Sequence, residues 1–101
     1  MPFEKVATLP ELPADSVLEV TVRGEPYAIC NAGGNISALW GICPHAGGPL
    51  GQGAISGGRL VCPYHSWEFD CRTGENDFDP ATRVPAYAVR VEGENIFADL
   101  P

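Results

Sequence analysis

The sequence predicts an all-β domain, an antiparallel sandwich or barrel. Three observations lead there: short runs that alternate apolar with polar residues, turn-forming residues between those runs, and the lack of a long amphipathic helical pattern. Twelve glycines and ten prolines are spread along 101 residues rather than clustered, as in a chain that reverses direction often. This length fits one domain over residues 1–101. A hydrophobic content of 45% places the chain among globular rather than disordered sequences.

The elements can be read in order. Val17 to Arg23 puts Leu18, Val20 and Val22 on one face and Glu19, Thr21 and Arg23 on the other. Arg23-Gly24-Glu25 turns the chain into a second run, Tyr27 to Cys30. Ala32-Gly33-Gly34-Asn35 is the next turn and Ile36 to Trp40 the next strand. Arg59 to Val61 reads as a short strand. Towards the end Tyr87, Val89 and Val91 alternate with Ala88, Arg90 and Glu92, and Glu92-Gly93-Glu94-Asn95 turns into a closing strand, Ile96 to Ala98. No internal repeat, low-complexity tract or linker interrupts this pattern.

A formal net charge of −7 and an isoelectric point near 4.5 disfavour nucleic acid and anionic membranes as partners, and suit docking to a basic protein patch. No run of 18 apolar residues predicts a membrane span. Met1 to Val20 lacks a basic region followed by an apolar stretch, because Glu4, Glu11, Asp15 and several prolines break it, so no export signal is expected and the protein is expected to be cytoplasmic. In that setting the four cysteines are better read as metal ligands than as two disulfides.

The chemistry is concentrated in residues 41–74. Cys43-Pro44-His45 and Cys62-Pro63-Tyr64-His65 each offer one thiolate and one imidazole from a proline-stiffened loop, and sixteen residues separate His45 from Cys62. Six glycines lie between the two segments and permit sharp turns and close backbone approach. Two cysteines and two histidines also satisfy a structural zinc site, although zinc fingers usually pair like ligands on separate elements. A protein holding zinc alone would be colourless. Gly51-Gln52-Gly53 is not a nucleotide loop, because the spacing to Gly57 is wrong and no helix follows.

The pattern Cys-x-His, a spacer of this length, then Cys-x-x-His resembles that of the Rieske family. Gly47 to Leu50 and Trp67-Glu68-Phe69-Asp70 are similar to the stretches that follow each ligand pair, and the likeness extends over essentially the whole chain. The resemblance implies an antiparallel β-sandwich with a small cluster-binding subdomain made of two loops. It also implies a [2Fe–2S] cluster in which Cys43 and Cys62 hold one iron and His45 and His65 the other. Two thiolates leave the oxidised cluster neutral, whereas four would leave it at −2, so an added electron meets less opposition. High-potential members carry a disulfide where this chain has Gly48 and Tyr64, and hydroxyls where it has Trp67 and Phe69. A low Rieske potential is therefore expected. Both ligand histidines are expected to stay protonated on their outer nitrogens at neutral pH, which makes transfer a simple electron event.

His45 and His65 are the only histidines, so this chain has no second pair for the mononuclear iron of a Rieske oxygenase. The resemblance thus implies a monomeric ferredoxin, a one-electron carrier from a flavin-dependent reductase to a Rieske-type terminal oxygenase and not itself an enzyme. The alternatives are the small subunit of an NAD(P)H nitrite reductase and a structural zinc module. Tyr64, Pro44, Pro49 and Leu50 are expected to surround the imidazoles at the tip, and Trp67 and Phe69 to pack beneath the cluster. Cys30 is expected to be a buried free thiol, and Cys71 to sit beside a turn at Thr73-Gly74, neither with a metal-like partner nearby in sequence. The charged connection from Asn76 to Arg83, flanked by Asp79-Pro80 and Val84-Pro85, is either a cover over the cluster or an ordinary turn.

Overall fold

Apolar residues on both sides of one sheet organise this chain. The computed structural model describes residues 3–44, 47–64, 66–76 and 82–101. In it, strands β2 (Ser16–Val22), β3 (Glu25–Ala32) and β4 (Asn35–Trp40) form consecutive antiparallel hairpins, and the short β8 (Ala86–Tyr87) pairs with β4. Along β3, Tyr27 and Ile29 join one buried cluster while Ala28 and Cys30 join another on the opposite face. That double burial explains the unbroken apolar run of Tyr27 to Cys30, since a strand covered on both faces has no polar side to alternate with. In β2, Leu18, Val20 and Val22 share the face predicted from their spacing, and Val17 packs on the other cluster.

Two-residue turns fix the register. Val22 pairs with Glu25 and Ala32 with Asn35. The intervening Arg23 and Gly24 (φ +51° and +82°) and Gly33 and Gly34 (φ +61° and +99°) all lie in the left-handed region. Positive φ at both central positions matches the right-handed twist of the flanking strands.

A second sheet, β1 (Glu4–Thr8), β10 (Asn95–Ala98) and β9 (Val89–Glu92), packs on one face of the first. Ala7, Leu12, Ile96, Ala98 and Leu100 meet Tyr27, Ile29 and Ala38 between them. The Tyr27 ring stands edge-on to Trp40 and Tyr87, with centroids 5.6 and 5.5 Å away, a favourable arrangement for aromatic quadrupoles.

The third sheet lies on the other face. β5 (Ala54–Ser56), β6 (Arg59–Val61) and β7 (Glu68–Asp70) form a small meander within the connection from β4 to β8. Leu50, Leu60, Phe69 and Val84 of this connection pack on Ala28, Cys30 and Leu39. The connection leaves and rejoins the first sheet at one place, where the Trp40 N–H donates to the Pro85 carbonyl at 2.9 Å. No helix of the described residues is long and apolar enough to cross a membrane.

One buried polar side chain ties the fold. Asn31 is 8% exposed; its Nδ2 donates to the Leu12 carbonyl at 2.9 Å and its Oδ1 accepts from the Gly34 N–H at 2.8 Å. Asn31→Ala orphans the buried Leu12 carbonyl and releases the Gly34 N–H of the turn, so a loss of about 2 kcal/mol is expected. Urea unfolding checks this; a change below about 0.5 kcal/mol, the range of ordinary surface substitutions, would show that the network contributes little.

Candidate metal centre

Two tight loops carry the predicted ligands. The first is closed by the Ile42–Pro49 bridge, by the Cys43 N–H donating to Gly48 at 2.8 Å and by the Gly47 N–H donating to Cys43 at 2.8 Å. The second joins β6 to β7 and is closed by the Cys62 N–H donating to Trp67 at 2.7 Å. Cys43 and Cys62 are buried, neither is in a disulfide, and their side chains lie close enough to interact. The Tyr64 N–H points at the Cys62 Sγ, 3.4 Å away. Burial and the neighbouring Cys43 push the Cys62 thiol up and outweigh that N–H. His45 and His65 lie outside the described residues, as do residues 77–81 of the charged connection.

Gly48 is where the loops touch. A Cβ built there would stand 2.9 Å from the Tyr64 Cγ and 3.2 Å from the Cys62 Sγ. The tyrosine ring thus lies over the glycine and beside the sulfur, and any larger residue at 48 would push it away. Two unlinked thiols converging from facing loops, with a backbone donor aimed at one sulfur, fit one edge of an iron–sulfur cluster.

Residues 3–88 match the Rieske [2Fe-2S] domain. The chain belongs to the Rieske [2Fe–2S] domain family. A Rieske-type cluster is accordingly its cofactor. Among curated relatives, the ferredoxin component of the naphthalene 1,2-dioxygenase system of Pseudomonas aeruginosa is 34% identical over 91 residues, covering 89% of this chain and 88% of that protein. The corresponding component from Pseudomonas putida is 33% identical over 99 residues, covering 97% and 94%. Among solved structures, the ferredoxin of carbazole 1,9a-dioxygenase from Nocardioides aromaticivorans IC177 is 29% identical, with a TM-score of 0.86 over 97% of each chain.

Around this Rieske site the structure sorts the neighbours. Phe69 is fully buried and Trp67 packs against the same cluster of side chains, as expected for residues beneath the loops. Tyr64 and Pro44 are exposed at the tip and Pro49 is half-buried. Leu50 corrects the prediction: it is fully buried in the short 3-10 turn Leu50–Gln52 that packs on β2 and β3, so it anchors the first loop from below. Gly51 in the same turn lies against Glu19, where an added Cβ would come within 2.5 Å of the Glu19 Cβ. Cys30 and Cys71, far apart in sequence, have met each other: both are buried in one cluster, where their side chains interact.

Asp70 was not singled out from the sequence, yet it braces the second loop from behind. Its Oδ1 accepts from the Arg72 and Thr73 N–H groups at 2.8 and 3.1 Å, and its Oδ2 accepts from the Arg59 guanidinium at 2.9 Å, across the β6–β7 pair. Burial pushes the carboxyl up, but these backbone donors and Arg59 outweigh it and hold it below the usual carboxylate range. A carboxyl depressed on folding stabilises fully above its unfolded value of about 3.9, and that stability is lost as pH falls through the lower folded value. Wild type is therefore expected to exceed Asp70→Asn in thermal stability at pH 7, with the gap closing below pH about 4. A gap that is constant down to pH about 2.5 would count against the brace.

Proposed function

We propose that this protein is a one-electron carrier that takes electrons from a flavin-dependent reductase and delivers them to a Rieske-type terminal oxygenase. It is not itself an enzyme. Cys43 and Cys62 would hold one iron and His45 and His65 the other, with residues 1–101 acting as a single unit, a cytoplasmic monomer. The convergence of the two free thiols on facing loops is the observation that supports this reading best. The ferredoxin components among its relatives support the place between reductase and oxygenase.

When bound, the cluster supplies a centre that accepts and releases one electron without a standing negative charge on its oxidised form. The chain's own residues do the rest. Leu39, Leu50, Leu60, Phe69 and Val84 form a dry floor under the loops. Exposed Pro44, Pro63 and Tyr64 present a small rigid face beside the ligands, suited to brief contact with a partner. An acidic chain of net charge −7 would be steered to basic patches on that partner.

Reconstitution tests this. Purified protein should be red-brown, contain iron with acid-labile sulfide, and restore electron flow between a reductase and an oxygenase of this class. Zinc in place of iron would replace the reading with a structural module. Fixed-ratio purification with a large nitrite reductase would replace it with a subunit role.

The midpoint potential is expected in the lower half of the Rieske range of about −150 to +300 mV. Tyr64 contributes a backbone N–H at 3.4 Å to the Cys62 Sγ, and Trp67 and Phe69 carry no hydroxyl, so the reduced form gains little hydrogen-bond stabilisation. The midpoint should stay level between pH 6 and 8 if both outer imidazole nitrogens remain protonated. A redox titration in the upper half, or a sloping one, would contradict this.

A further inference from the structure

Cys30 and Cys71 take no part in the ligand quartet, yet they form a second thiol pair. Cys30 lies on β3 on the face that meets the third sheet, and Cys71 follows directly after β7. Cys30 is fully buried and Cys71 nearly so; neither is in a disulfide, and their side chains interact within one buried cluster. Cys71 also lines a cavity of about 230 Å³ together with Ala32, Asn35, Gly58, Arg59, Asp70 and Arg72. A cavity of that size admits several water-sized molecules. A small oxidant can therefore approach Cys71 while Cys30 stays behind it.

We propose that Cys30 and Cys71 are a redox modification site, at which hydrogen peroxide entering this cavity converts the thiol pair to a disulfide that ties β3 to the turn after β7. The two sulfurs are unequal. Cys71 lines the cavity and so meets the oxidant first. Cys30 lies behind it, where the neighbouring Cys71 and burial push its thiol up.

In the first step the Cys71 sulfur attacks one peroxide oxygen. A sulfur–oxygen bond forms, the oxygen–oxygen bond breaks, and the departing hydroxide leaves as water with the thiol proton. In the second, the Cys30 sulfur attacks the Cys71 sulfur of the sulfenic acid. The disulfide forms, the sulfur–oxygen bond breaks, and hydroxide leaves as water with the Cys30 proton. Both thiols are oxidised by one peroxide, which is reduced to water.

The position gives the bond a consequence. Cys43, His45, Cys62 and His65 all fall between Cys30 and Cys71 in the chain. The disulfide would close that whole segment into a covalent loop and restrict it when unfolded. Loss of the visible absorbance on heating should become several-fold slower in the oxidised protein.

The test uses holoprotein exposed to millimolar hydrogen peroxide, then alkylated and digested without reductant. The expected product is a Cys30–Cys71 linked peptide, two hydrogens lighter than its parts, with Cys43 and Cys62 unlinked. In Cys30→Ala, dimedone should trap a sulfenic acid at Cys71; wild-type mapping stands alone if this variant folds poorly. Recovery of Cys30 and Cys71 as free thiols, or their appearance only in links to Cys43 or Cys62, would overturn the proposal. Absorbance followed in the same sample separates this result from any failure to hold a cluster.

Discussion

Replacing Cys62 by serine is expected to give a colourless chain with less than about a tenth of the wild-type iron, because even outer-shell partners of a metal change affinity by 10–100-fold and a lost ligand does more. Serine is close to cysteine in shape, so the buried loop and its Cys62-to-Trp67 hydrogen bond can persist. What is lost is a soft thiolate that would neutralise and hold ferric iron. Cys43→Ser should behave in the same way. Cys30→Ala provides the contrast, since that thiol faces Cys71 and not the loops; it should keep full iron and sulfide. Iron, sulfide and absorbance measured on the three variants decide the matter. Full iron in Cys62→Ser, or its loss in Cys30→Ala, would mean that the wrong cysteines have been assigned.

Gly74→Ala combines backbone strain with a collision against backbone, and a loss of about 3 kcal/mol or more is expected. Gly74 sits at φ +79°, where an L side chain costs about 1–2 kcal/mol. Its Cβ would also come within 2.1 Å of the Val84 carbonyl oxygen. That carbonyl belongs to backbone held by the Val84 N–H donating to Gly74 at 3.0 Å, so it has little freedom to retreat. Gly93→Ala is the control: φ is +63° but nothing lies within 4 Å of the added carbon, so backbone strain acts alone. At roughly 4–8 °C per kcal/mol in a domain of this size, the first change should lower the melting temperature by roughly 12–24 °C and the second by roughly 4–16 °C. Equal shifts would show that the Val84 contact carries no weight.

The strands that the sequence announces are those with room for a pattern. β2 and β9 alternate apolar with polar residues and so reveal a period of two, while β3, β4 and β10 read as short apolar runs set off by turn residues. β5 and β7 have three residues each, too few for alternation to differ from chance; β6 is as short, but the Gly57-Gly58 turn before it and the Cys62 loop after it mark its ends. β1 hides for another reason: in Glu4–Thr8 the adjacent Val6 and Ala7 both pack on the core, and a register shift between Lys5 and Ala7 breaks the alternation. The candidate ligands were legible because their chemistry is local, two mixed pairs at fixed spacing. The Cys30–Cys71 contact was not, because it depends on a third sheet folding over β3, and nothing near either residue encodes that. Leu50 shows the same limit. Its position beside Pro49 suggests a surface tip, yet the 3-10 turn directs it onto β2 and β3.

Trp40 and Pro85 meet through one hydrogen bond, so the segment carrying the ligands departs from and returns to the same doorstep. The pairing of β4 with β8 closes that doorway, while Leu50, Leu60, Phe69 and Val84 bolt the segment to the sheet behind it. Evolution or a designer can therefore rewrite the exposed tips of the two loops, but has to keep the side chains that face the frame. Wiring and chassis share a wall, and only the terminals are freely editable.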